Sequence, residues 1–244
     1  MRIQVLFFGQ LKDAVGRSTD EIDLPAGSSV GTVFEYYASQ YPKLREMAAS
    51  IAIARNHEFA GRGVALADGD EVALMPPVSG GSDADVEWIV CTTDDVGFYA
   101  VTDNPIDSRA LVQILQADDD GAVIIFEGVV RNHTGSRKTL YLDYEGYPPL
   151  AVKTMQQIGR ELRGKHDIHR VGIIHRIGRL ELQEASVSIV VTSAHRQAAY
   201  DASLEAINRL KKLAPIWKKE HFEDGEVWVE GSWDEGVPMP GAPE

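Results

Sequence analysis

The sequence predicts an α+β protein built as two domains, and three observations carry that prediction. The chain has 244 residues, long for one ordinary domain and comfortable for two. Short strand-like runs alternate with amphipathic helices, first in a small set and then in a larger one. Between the sets lies "PPVSGGSDADVEW", a glycine pair followed by a small acidic segment of the kind that joins domains. An apolar content of 44% with 25% charged residues suits two buried cores and excludes a disordered chain. The predicted bounds are residues 1–81, a linker at 82–87, and residues 88–244.

In the first domain "RIQVLFF" alternates as a half-buried strand, and "TDEIDLP" is a second strand ending at Pro25. "SSVGTVFEYYASQYP" is a helix: Ser29 is the N-cap, Val30, Val33, Phe34 and Tyr37 share one face, and Pro42 stops it. "SIAIARNHEFA" and "DEVALMPP" supply two more strands, the second launched from the Asp68-Gly69 turn. The result is a small mixed sheet on one helix, whose last strand runs into Gly80-Gly81.

The second domain starts with Cys91 near the head of a strand, where it reads as a small buried apolar residue. "PIDSRALVQILQ" is a helix capped by Ser108 or Asp107, with Leu111, Ile114 and Leu115 inward. "GAVIIFEGVV" reads as a buried strand and "LYLDYEG" as a shorter one. From Pro148, Ala151, Met155, Ile158 and Leu162 recur at helical spacing. "HRVGIIHRIGRL" and "ASVSIVVTSAH" read as two long strands. "RQAAYDASLEAINRLKKLAP" is a helix with Ala202, Ala206 and Leu210 on one face, ended by Pro215. "GEVWVEG" is a last strand, and the tail beyond Trp233 reads as loose.

Charge and cysteine content narrow the function. Net charge is −13, and residues 82–120 hold ten acidic side chains against the single basic Arg109. With no basic stripe, nucleic acid is not expected as a partner. The lone Cys91 excludes an internal disulfide or a multi-cysteine metal site. No apolar run reaches membrane-spanning length and "MRIQVLFFGQ" does not read as a signal peptide, so a cytoplasmic protein without membrane contact is expected.

Four groups of side chains in the second domain could do chemistry. "VVRNHTG" puts Arg131 at a strand end, entering a loop with His133, and "TSAHR" puts His195 and Arg196 where a strand gives way to a helix. "KKLAPIWKKE" puts Lys211 near a helix end and Lys218 past the proline; "IIHRIG" adds His175 and Arg176. Cations beside a helix N-terminus suit a phosphate, and lysines crowded by other cations have lowered pKa values. Each group has a plainer reading. Lys211-Lys212 compensates a helix dipole, Arg131 is a surface arginine, His175 is a satisfied structural histidine, and Gly80-Gly81 is a hinge. Spacing alone reaches only a small-anion site in an α+β domain.

Residues 1–81, with their strand–strand–helix order, "LADGDEVALMPPVSGG" and the glycine pair, resemble the small subunit of molybdopterin synthase. Residues from about 86 to 231 resemble the large, catalytic subunit of that family, through "GAVIIFEGVVRNHTG", "VGIIHRIGRL", "VTSAHR", "LKKLAPIWKKE" and "WVEG" in that order. The resemblance implies a ubiquitin-like β-grasp sulfur carrier followed by a domain of the α/β hammerhead type. It implies conversion of cyclic pyranopterin monophosphate to molybdopterin, with sulfur supplied as a thiocarboxylate on a terminal glycine and no permanently bound cofactor. By motif, Lys211 and Lys218 are the implied catalytic residues, Lys211 nearest the glycine terminus, assisting attack or bonding covalently to an intermediate, and Lys218 either as acid/base or holding the substrate. Arg131, His195, Arg196, Lys219 and Glu220 are the implied substrate-binding residues. A homodimer through the large domain is implied too, with the site close to the subunit boundary. Activation would fall to a separate adenylating, ATP-dependent enzyme, for this chain has no phosphate loop of the G-x-x-x-x-G-K-[ST] kind.

Two features depart from the family pattern. Gly231-Ser232-Trp233 stands after "WVE", where the family often has a basic residue. Gly81 is tied to Ser82 in a peptide bond, and an internal amide offers no carboxylate to activate. The expected solution is cleavage after Gly81, with the halves staying associated. The competing readings are a non-catalytic fused scaffold, a sulfur carrier for another pathway, and a protein tag conjugated through Gly81.

Overall fold

The computed structural model describes residues 1–76 and 89–229, which divide into two units at the segment between them. Gly80-Gly81, the linker at 82–87, Gly231-Ser232-Trp233 and the tail lie outside the described residues. No helix among the described residues is long and apolar enough to cross a membrane.

The first unit runs β1 (Arg2–Phe7), α1 (Gly9–Val15), β2 (Thr19–Asp23), α2 (Val30–Gln40), α3 (Pro42–Glu46), β3 (Ala52–Arg55), β4 (Glu58–Phe59) and β5 (Glu71–Met75). Its sheet has the order β2-β1-β5-β3-β4, with β1 and β5 parallel at the centre and the other pairs antiparallel. This is the β-grasp arrangement. Val30, Val33, Phe34 and Tyr37 of α2 are buried, as their helical spacing requires. Thr32 Oγ1 accepts the Ser29 backbone N–H at 3.1 Å and starts the helix. Pro42 ends α2 but also opens α3, since its fixed φ suits a first helical position. The short helix α1, absent from the sequence reading, buries Leu11 and Val15 one turn apart and closes on Gly16. "SIAIARNHEFA" is a hairpin rather than one strand, because Asn56 and His57 adopt positive φ and turn the chain. Asp70 locks that hairpin to β5. It accepts bonds from Arg55 Nε at 2.6 Å, Asn56 Nδ2 at 2.7 Å and the Ala67 N–H at 2.8 Å. Burial alone would raise this carboxyl; the bonds from Arg55, Ala67 and Asn56 prevail and hold it at about 2.

The second unit runs β6 (Val90–Thr93), β7 (Gly97–Thr102), α4 (Ser108–Leu115), β8 (Ala122–Val129), β9 (His133–Thr134), β10 (Arg137–Gly146), α5 (Pro148–Lys165), β11 (Arg170–Arg176), β12 (Gly178–Leu180), β13 (Ala185–Ser193), α6 (Arg196–Leu213), β14 (Ile216–Phe222) and β15 (Gly225–Trp228). One sheet has the order β6-β7-β11-β13-β8, the other β12-β10-β14-β15 with β9 paired to β10. Helices α5 and α6 cover one face of the first sheet through Met155, Ile158, Leu162, Ala202 and Ala206, packed with Tyr99, Ile173 and Ile189. Helix α4 covers the other face with Leu111 and Leu115 against Ala100, Ile174 and Val190.

Several expectations change here. Asp107, not Ser108, caps α4, accepting the N–H groups of Arg109 and Ala110. Ile114 points outward at 53% exposure, because an eight-residue helix has only one inner stripe and Leu111 and Leu115 fill it. Cys91 is exposed, since β6 is an edge strand and Cys91 falls on its open side. β8 is half-buried rather than buried, being the opposite edge of that sheet. "LYLDYEG" belongs to the longest strand, β10, at ten residues. "HRVGIIHRIGRL" is two strands in two different sheets, and the chain changes sheet at Gly178, whose φ of 94° is open to glycine alone without strain.

Candidate active site

The site is built on β14, a strand where the sequence suggested only the segment after a proline. Pro215 cannot continue α6, and "IWKKEHF" then pairs antiparallel with β10 in the register Tyr144 to Lys218, Asp143 to Lys219 and Leu142 to Glu220. Successive side chains of a strand point to opposite faces. Lys218 and Glu220 therefore share one face with Tyr144 and Leu142, and Lys219 and His221 share the other. On that other face Lys219 Nζ lies 2.7 Å from Glu226 Oε1 and 5.2 Å from the Trp228 ring centre. His221 stacks on Tyr141 and meets Asp143 Oδ2 at 2.6 Å. The sequence reading put Lys219 beside Lys218; strand alternation separates them.

On the first face four charged groups converge. Lys218 is half-buried, and burial lowers its ammonium pKa; Glu220 works against that shift, while Arg131 and Lys211 add to it by like-charge repulsion. Arg131 comes to this place because Val130, the residue before it, is anchored. Val130 is buried with Leu142 and Leu180, and it exchanges backbone bonds with Glu184 and Gln183 at 3.0 and 2.8 Å. Lys211 stands in the last turn of α6, where it also complements the helix dipole. Arg131 and Lys211 are exposed, and neither has a side-chain hydrogen bond or ion pair among the described residues. Glu220 is 2% exposed. Its Oε1 accepts from Thr134 Oγ1 at 2.7 Å and Thr139 Oγ1 at 2.5 Å. Glu220 is thus behind the site rather than on its surface.

His195 and Arg196 are exposed at the start of α6 and lie elsewhere in the unit. Fifteen residues of helix separate Arg196 from Lys211, about 22 Å at 1.5 Å per residue. The sheet gives the same answer independently. Ser193 pairs with Ala122 at the start of β8, whereas Arg131 follows Val129 at its far end, roughly 23 Å away at 3.3 Å per residue. One copy therefore brings together Lys211, Lys218, Arg131 and Glu220, and sets His195 and Arg196 apart.

His175 is buried, donates Nδ1–H to the Arg176 carbonyl at 2.8 Å and packs on Tyr144 at 5.3 Å; burial pushes its pKa down to about 4. Arg176 is buried as well, bonded to the Asp103 carbonyl and to Glu184. Both are structural. His133 is exposed and bonded to its neighbour Asn132. Near the His195 end, Asp119, Asp120 and His169 bring ligand-type atoms within 4.8 Å of one another. His169 Nδ1 already pairs with Asp120 at 2.7 Å, and the Ala117 N–H occupies the other Asp120 oxygen. Sequence reasoning missed Thr134, Thr139 and Tyr144, which reach the site only through strand pairing. The alternation in "IWKKEHF" was the available signal for β14.

A β-grasp unit joined to a two-sheet unit with a lysine–arginine cluster defines a protein of two functional parts, one of them suited to an anionic small molecule. The family models agree with that division: the MoaE protein model matches residues 101–213 and the ThiS family model residues 5–81. The molybdopterin synthase catalytic subunit of Halalkalibacterium halodurans is 43% identical over 145 residues, 57% of this chain and 93% of that protein. The corresponding protein of Bacillus subtilis is 43% identical over 131 residues, 54% of this chain and 83% of its own length. The crystal structure of molybdopterin synthase from Staphylococcus aureus superposes with a TM-score of 0.52 at 39% identity, covering 57% of this chain and 98% of that one. The chain belongs to the MoaE protein family and carries a ThiS-family region ahead of it in the same polypeptide.

Proposed function

We propose that this chain is a molybdopterin synthase with its sulfur-carrier and catalytic parts fused, an enzyme of molybdenum cofactor biosynthesis. The observation that carries the reading is the convergence of Lys211, Lys218 and Arg131 within the unit that matches the MoaE protein. The reaction is a sulfur transfer. A glycyl thiocarboxylate on Gly81, made by a separate ATP-dependent enzyme, attacks a carbon of cyclic pyranopterin monophosphate through its sulfur. As the C–S bond forms, that carbon's C–O bond breaks, the oxygen leaving with the phosphate or, protonated, as water. Water then cleaves the acyl–sulfur bond and returns the glycine carboxylate, and a second round completes the dithiolene. Arg131 binds the anionic substrate, its planar fork matching phosphate oxygens. Lys211 neutralises negative charge where the thiocarboxylate attacks. Lys218, its hold on the proton weakened by burial and by Arg131 and Lys211, is the group that exchanges a proton with the substrate.

Two requirements follow. Gly81 must be freed by cleavage of the bond to Ser82, which intact-mass measurement of the protein from its native host tests; activity from a chain present only at full length excludes the requirement. His195 and Arg196 must come from a second copy if they are to bind the same substrate, since about 22 Å of helix separates Arg196 from Lys211. A homodimer through the larger unit supplies them. The direct test of the function is reconstitution of thiocarboxylated 1–81 with 82–244 and the pyranopterin. Molybdopterin formed by the native fragment and abolished by Lys211→Ala supports the enzyme; turnover unaffected by that substitution favours a scaffold.

A further inference from the structure

Glu220 is an unusual feature of the larger unit. It is a carboxylate buried to 2% exposure on an interior strand, and the two donors on its Oε1 leave Oε2 buried with no hydrogen-bond partner among the described residues. A buried acceptor without a donor is costly, and its retention calls for a use. The clamp fixes where that oxygen sits. Thr139 is fully buried on β10, and Thr134 lies on β9, so two strands hold one carboxylate from two directions. Lys218 is two residues away on the same strand face, its Cα about 6.6 Å from that of Glu220 at 3.3 Å per residue. A lysine side chain spans that gap by rotation about its own torsions.

We propose that Glu220 is a positioning residue for Lys218: the hydroxyls of Thr134 and Thr139 fix one carboxylate oxygen so that the other receives the Lys218 ammonium and sets its direction and charge. This replaces the substrate-binding role expected for Glu220 and adds Thr134 and Thr139 to the residues on which the site depends. The groups facing Lys218 are Glu220 on its own strand, Tyr144 across on β10, Arg131 after β8 and Lys211 on α6; His175 lies behind the Tyr144 ring. Among the described residues Glu220 is the anion acting on Lys218, so removing its charge leaves the two cations Arg131 and Lys211 unopposed. The proposal rests on the synthase reading for what Lys218 does, but not for how Lys218 is held.

The test uses the full chain and two readouts. Acetic anhydride labelling across pH, read by mass spectrometry at Lys218 with exposed Lys212 as reference, follows Lys218 ionisation without any catalysis. Glu220→Gln keeps the shape and loses the charge; it is expected to move the Lys218 midpoint down by about one pH unit, a tenfold faster labelling below the midpoint. An unchanged midpoint in a folded Glu220→Gln protein overturns the proposal, because a merely structural Glu220 would alter stability and leave Lys218 alone. In the synthase assay Thr139→Val is expected to lower kcat about tenfold with KM retained, and Thr139→Ser to restore it. Wild-type kcat in Thr139→Val overturns the clamp. Should Glu220→Gln not fold, Glu220→Asp keeps the charge but withdraws the oxygen, and full kcat there also counts against the proposal. Absence of molybdopterin formation by the unaltered protein refutes the synthase reading while the labelling result still decides the pairing.

Discussion

Lys218 shows how one residue acquires chemistry from its neighbours. A lysine on an exposed strand is a fixed cation. Here burial, with Arg131 and Lys211 close by, lowers the proton's hold and Glu220 restores part of it. Lys218→Met is expected to lower kcat by about 10²-fold, the usual contribution of a general acid or base, in the reconstituted synthase assay. His175 gives a second prediction, on stability. The unfolded chain takes up a proton there near 6.5 and the folded chain near 4, so the unfolded state holds more protons between those values. Stability from the neutral buried imidazole is complete above about 6.5 and is lost as pH falls towards 4, amounting to about 3 kcal/mol. Thermal melts of the native protein and His175→Leu over this range are expected to converge as pH falls. The identities of Arg131, Lys211 and Lys218 were legible in the sequence, because cations at strand and helix ends stand out. The Thr134–Thr139 clamp was not, since small polar residues acquire a role only from what pairs with them.

At the scale of the element, alternation and close packing decide what the linear pattern cannot. In "WKKE" two adjacent lysines look equivalent; the strand sends Lys218 towards Glu220 and Lys219 to Glu226. Lys219→Ala is accordingly expected to alter kcat less than twofold, while Lys218→Ala removes most activity; equal losses would contradict the alternation. Helix α5 provides a packing test. A Cβ at Gly159 would come within 2.0 Å of the Tyr99 hydroxyl, a fully buried side chain with no room to retreat. Gly159→Ala is expected to cost about 1–3 kcal/mol, measured as a lowered midpoint in chemical denaturation. Helical spacing in α2, α5 and α6 was plain in the sequence, yet Ile114 was misplaced because a short helix samples too few turns to define its inner stripe.

For the whole molecule, the decisive fact is that one copy of the larger unit separates its candidate residues into two groups. Arg131, Lys211 and Lys218 stand at one end of α6, and His195 and Arg196 at the other. Mixing is the test of shared sites. Arg196→Ala and Lys211→Ala proteins, each inactive alone, are expected to recover about a quarter of native activity when re-assembled in equal amounts. Half of the dimers would then be mixed, each with one intact site. No recovery would exclude a site shared between chains, and full activity of Arg196→Ala by itself would remove Arg196 from the site. Mass measurement of the mixed dimers checks that exchange has occurred.

The sequence by itself determined the two-part organisation, the α+β class, the β-grasp character of the first part through its resemblance, and the identities of the cationic residues. Those properties are written in local spacing: apolar periodicity, prolines and glycines at element ends, and motifs whose order along the chain is itself the signal. Only the tertiary structure decided which of those residues meet. Strand register, the two-sided pleat and the length of α6 are distances in space, and they turned Lys219 away, buried Glu220 behind Lys218 and set Arg196 about 22 Å from Lys211.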